Sequence, residues 1–251
     1  MESGDSLRAF TGKWHAAWPE QDVLAVFVPA GQRELVSAWG ALLSELHESL
    51  FCLENDAVRQ AKSAWWIQEL QAMSGQSARQ PLARFLQVRD APFSAMAAAM
   101  AEVAALVPVK TARTDELFRI LTPFAEAVAA CEAELLGTRS GAADAQSIIG
   151  QWLSMRMPHG LAAFDRAMVP MHLLARHPVL ADSETAKAMR RDWLRELQGV
   201  LERQQPENWY RRAQLRFTLR RIAVFAHLDA PKIGPGHAWD AWRSVRSGLR
   251  A

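Results

Sequence analysis

From Leu35 onward the chain places apolar residues at steps of three and four: Leu35, Trp39, Leu42, Leu46, Leu50 and Leu53. This is the spacing of one helix face, and after Pro29 it predicts an amphipathic helix of about six turns. The segment NDAV at 55–58 offers a side-chain cap for the next helix, which carries Trp65 and Trp66 and stops near Gly75. The pattern predicts further helices over 79–88, 92–107, 113–136, 142–156, 160–176, 183–204, 207–228 and 237–249. Pro92, Pro108 and the segments GTRSG, MPHG, HPVLADS, QQPEN and DAPKIGPG separate them. None of these connections is long enough to serve as a linker between domains. The expectation is one all-α domain, a helical bundle spanning residues 1–251.

Composition narrows this only slightly. Half of the 251 residues are apolar and 22% are charged, which suits a globular chain. A single tyrosine among ten tryptophans, with no clusters of β-branched residues, weighs against a sheet protein. A net charge of +2 implies no electrostatic partner by itself. Cys52 and Cys131 lie far apart without metal-like spacing, so free thiols in a reducing, cytoplasmic compartment are expected. The first ten residues lack the basic and apolar regions of a signal peptide. The alanine-rich window 91–109 is broken by Glu102 and reads as a buried helix, not a membrane span.

Trp65 and Trp66 are 100° apart on a helix, so together they span a broad face able to wedge between two neighbours, with Lys62 and Glu69 as a shared polar rim. With its surroundings, this pair carries a resemblance. FVPAGQRELVSAWGALLSEL (Phe27, Pro29, Arg33, Trp39, Glu45), then AWWIQEL at 64–70, then RQPLARFL with Gln80 in place of a histidine, is similar in order and spacing to the squalene and phytoene synthases over residues 25–86. The tail HAWDAWRSVRSG is similar to their closing helix. The resemblance implies an isoprenoid-synthase helical fold and, for active members, the joining of two prenyl diphosphates with magnesium held by two aspartate-rich motifs. Magnesium takes oxygen ligands and neutralises the departing diphosphate.

Those aspartates have no counterparts here. The first motif reads HESLF: His47 and Phe51 stand at the outer aspartates, Glu48 at the middle one, and Ser44 at the preceding arginine. Ser44, His47, Glu48 and Phe51 are expected to line the cavity, Phe51 offering no ligand and His47 preferring softer ions. Glu45 and Glu48 share a helix face and could hold one ion weakly. The second motif is placed on DRAMVPMHLLARHPVL (165–180), where Arg176 and Leu180 replace the aspartates, Arg176 lining the same cavity, and Asp165 and Asp182 flank the stretch. The family's channel tyrosines are missing as well, Tyr210 being the single tyrosine.

Other chemistry fades on inspection. GPG at 234–236 lacks the strand and lysine of a phosphate loop, and the histidines are scattered. Arg212, Arg216 and Arg220 form a stripe that reads as a solvated face before it reads as a membrane or nucleic-acid surface. The expectation is a squalene/phytoene-synthase-like protein that has lost prenyl transfer and binds a prenyl diphosphate, another apolar lipid or a protein partner. Nucleic acid is disfavoured, and peripheral membrane contact stays open. The alternatives are an active prenyltransferase using Glu45, Glu48 and Asp165 with magnesium, and a basic helical module.

Overall fold

The computed structural model describes residues 2–155, 169–177, 183–226 and 233–248. The fold is all-α, and among these residues there is no strand. The helices are α1 (Glu2–Ala17), α2 (Glu20–Phe27), α3 (Ala30–His47), α4 (Asp56–Ser74), α5 (Pro81–Leu86), α6 (Phe93–Leu106), α7 (Thr114–Leu136), α8 (Ala142–Met155), α9 (Met171–Arg176), α10 (Ser183–Leu201), α11 (Trp209–Ala226) and α12 (Pro235–Gly248). A π-helical turn, Glu48–Cys52, extends α3. No helix among the described residues is long and apolar enough to cross a membrane.

Local signals set several boundaries. The Asn55 side chain accepts the Val58 N–H at 3.1 Å and starts α4. Gln80 caps α5 by accepting the Ala83 N–H at 3.0 Å, with Pro81 at the first helical position. Gly137 ends α7 in the left-handed region at φ 62°, where a side chain would be strained. The helix expected over 160–176 is corrected at its end: Val169 and Pro170 are not helical, and α9 begins only at Met171. Proline lacks an N–H and drives its neighbour out of the helical region. Helices α1 and α2 were not anticipated, although Leu7, Phe10, Trp14 and Trp18 recur at steps of three and four.

α3 is the central element, buried on nearly every side, with Trp39, Leu42 and Leu46 fully enclosed. α1 and α5 pack on it from one direction, α4 pairs with α6, α7 with α8, and α11 lies against α8, α10 and α12. One continuous apolar cluster runs through these helices. A buried ionic knot crosses it. Glu132 on α7 accepts hydrogen bonds from Trp39 Nε1 (2.8 Å), Asn208 Nδ2 (3.1 Å) and Arg211 Nε (3.2 Å), and it pairs with a second Arg211 nitrogen. The free end of Arg211 donates to Gln151 on α8 at 2.7 Å. Both charges are out of water, and such a pair is tolerable only because each polar atom finds a partner.

The tryptophan pair divides. Trp66 is 1% exposed, whereas Trp65 is 41% exposed and meets it edge-on, so one ring and not two wedges into the core. The shared polar rim is corrected too. Glu69 is buried and accepts the backbone N–H groups of Arg79 (2.9 Å) and Gln80 (3.0 Å) at the start of α5, while Lys62 turns the other way, toward α3.

Candidate functional site

α3 and its π-turn bring Glu45 and Glu48 together, as their i, i+3 spacing requires. What the sequence did not disclose lies opposite. Lys13 from α1 donates to Glu45 Oε1 at 2.9 Å and to Glu48 Oε2 at 2.7 Å. Lys62 from α4 donates to Glu48 Oε1 at 2.9 Å and lies 3.4 Å from Glu45 Oε2. Two ammonium groups thus bridge two carboxylates, and the four charges sum to zero. Burial pushes the Glu48 carboxyl up, but hydrogen bonds from Lys13 and Lys62 outweigh it and hold the group below its ordinary range. The Lys13 ammonium is pushed down by burial and up, more strongly, by Glu48 and Glu45, ending above its ordinary value.

His47 and Phe51 point inward from the same turn. His47 is buried, with Nε2 3.1 Å from the Trp152 carbonyl oxygen and Nδ1 3.5 Å from Cys52 Sγ. Phe51 is buried between the His47 ring and Trp152, which stacks in turn on Phe124. Ser44 lines a void of about 10 Å³, walled by Trp14, Gly40, Leu43, Gln151, Trp152, Met155 and Tyr210. That volume is close to the space of one water molecule. The helix facing α3 across this void is α8, and its lining residues, Gln151, Trp152 and Met155, include no carboxylate. The single tyrosine is part of the wall, and burial pushes its hydroxyl pKa up.

Arg176 is placed elsewhere. It lies on α9, 61% exposed at its side chain, 3.7 Å from Glu196, in an outer groove between α7 and α10. Asp165, Leu180 and Asp182 lie outside the described residues. The arginine stripe on α11 is not a solvated face: Arg216 donates to Ser244 at 3.0 Å and Arg220 to Asp240 at 2.5 Å, both on α12.

The fold as a whole has a counterpart among solved structures. It is similar to that of a dehydrosqualene synthase. The comparison structure, a dehydrosqualene synthase in complex with ligand, aligns with a TM-score of 0.65 at 12% identity, over 99% of this chain and 98% of its own. No family model matches the sequence, and no curated protein matches it.

The resemblance noted in the sequence raises the question of magnesium, and the residues at the α3 turn do not fit it. A hard divalent cation needs several oxygen donors free to turn toward it. Here all four carboxylate oxygens of Glu45 and Glu48 already face a lysine within 3.4 Å, so a cation would have to displace two ammonium groups held by opposite charge. The neighbouring positions supply an aromatic ring and an imidazole committed to a backbone carbonyl. Among the described residues no three His, Cys, Asp or Glu side chains converge as a ligand set. Lys13 was legible in principle, one residue before Trp14 on the face of an unrecognised amphipathic helix.

Proposed function

We propose that this chain keeps the squalene/phytoene-synthase fold without its prenyl-transfer chemistry and works as an interaction protein of the assembly type. The observation that carries the reading is the pairing of Glu45 and Glu48 with Lys13 and Lys62. Ionising a prenyl diphosphate needs metal-supplied charge at the leaving group, each contact contributing several kcal/mol. With every 1.36 kcal/mol worth a factor of ten in rate, a turn that holds lysines in place of metals loses turnover steeply. The void also favours a protein partner over an isoprenoid or other apolar lipid, since about 10 Å³ between the described walls admits no prenyl chain.

The test is incubation of the purified protein with farnesyl or geranylgeranyl diphosphate, with and without magnesium, followed by extraction of hydrocarbons. No thirty- or forty-carbon product is expected. A magnesium-dependent product abolished by Glu48→Ala overturns the proposal and establishes an active prenyltransferase with relocated ligands.

A further inference from the structure

The groove that holds Arg176 is lined by more cations than carboxylates. It encloses about 1000 Å³, and its lining includes Arg113, Arg119, Arg176, Arg195 and Arg203 against two carboxylates, Asp115 and Glu196. Both carboxylates are engaged. Asp115 accepts from Arg113 at 2.9 Å, and Glu196 accepts from the Thr114 hydroxyl at 2.7 Å, faces His172 Nε2 at 2.9 Å and lies near Arg176. Arg195 pairs with Asp192 on its own helix. Arg119 and Arg203 are exposed and have no carboxylate partner among the described residues. Between the two charged walls lie Phe118 and Val200, with the amide side chains of Gln146 and Gln204.

We infer that this groove binds an acidic segment of a protein partner. Arg113, His172 and Arg176 lie around Glu196, while Arg119 and Arg203 line the same groove without a carboxylate of their own among the described residues. Arg113 stands at the cap of α7 with Arg119 further along that helix, and Arg195 lies on α10 with Arg203 in the turn just past its end. Carboxylates on one face of an extended chain recur every ~6.8 Å, so an acidic segment laid along the groove brings several of them within reach of the long arginine side chains. Guanidinium groups hold carboxylates through paired N–H donors, which gives register as well as attraction. The groove is concave, which suits a chain laid along it and not a flat membrane. Val200 is half-buried and gives the groove an apolar spot, whereas Phe118 beneath it belongs to the core. The inference names the surface used by the interaction protein proposed above, and it stands or falls independently of the prenyl-transfer assay, because the groove shares no residue with Glu45, Glu48, Lys13 or Lys62.

The experiment uses the full chain and a fluorescein-labelled twelve-residue peptide of alternating glutamate and alanine, followed by fluorescence anisotropy. The expected result is saturable binding that weakens at least tenfold in Arg119→Glu/Arg203→Glu. It should stay within twofold of wild type in Arg84→Glu/Arg89→Glu, which removes the same charge from another exposed surface, and should weaken as salt rises. Both double variants should melt with the wild type, since all four side chains are exposed. No binding, or equal weakening in both variants, overturns the inference. Competition by tripolyphosphate or by phosphatidylserine vesicles at a charge concentration below that of unlabelled peptide also overturns it, assigning the groove to phosphate or to a lipid surface.

Discussion

Removing the Trp66 side chain leaves a cavity inside α4's packing surface, because the ring is fully enclosed. Trp66→Ala should cost about 3–5 kcal/mol in urea unfolding. Trp65→Ala should cost less than about 1 kcal/mol, because its ring is substantially exposed and sits edge-on against its neighbour. Equal losses would mean that Trp65 is buried in solution. Adjacent residues of one type look equivalent in a sequence, and periodicity places the pair on a broad face without saying which half a neighbouring helix covers. The partners of Glu69 were hidden for the same reason. Its spacing from Lys62 suggested a common rim, but the N–H groups it accepts lie ten and eleven residues away, at the start of α5.

The charged quartet joins three elements, α1, α3 with its π-turn, and α4, so its strength is read as their mutual docking. Glu48 titrates lower in the folded chain than in the unfolded one, so its contribution is complete above roughly pH 4.3 and fades as pH falls through the depressed folded value. Lys13 titrates higher when folded, so its contribution is complete below roughly pH 10.4 and fades above it. Glu48 is a third exposed, so each of its lysine pairs is worth at most about 1 kcal/mol. Glu48→Gln should therefore flatten the acid limb of the stability–pH curve while leaving the neutral melting temperature within a few degrees. An acid limb unchanged in the variant would show the pairs to be energetically silent. At this scale the sequence was informative for α3 to α8, where apolar periodicity and caps agree. It placed the second motif on 165–180, whereas the described wall across the void from Ser44 includes Gln151 and Trp152 of α8, which no spacing rule ties to Ser44.

Across the molecule, Glu132 is the point where α3, α7 and α11 meet. Glu132→Ala leaves the Arg211 guanidinium buried with Gln151 as its remaining side-chain partner and deprives Trp39 and Asn208 of their acceptor. A loss of about 3–5 kcal/mol is expected, seen by circular dichroism and tryptophan fluorescence in a single coincident transition. Separate transitions by the two probes would show that the helices unfold piecemeal. The fold class was readable because helical periodicity is a local property and the all-α pattern repeats along the whole chain. The ionic knot was not, because its members are separated by up to 172 positions from Trp39 to Arg211 and carry no local signature.

Lys13 and Trp14 are consecutive residues of α1. One neutralises the glutamates, and the other fills the ground between α3 and Tyr210 so closely that a Cβ on Gly40 would stand 2.5 Å from its indole nitrogen. A single turn of one peripheral helix therefore supplies both a cation of the charged quartet and a wall of the void between α3 and α8. For the non-catalytic protein proposed above, that makes retirement of a reaction chamber a short mutational path, walked at the edge of the scaffold and leaving its centre intact.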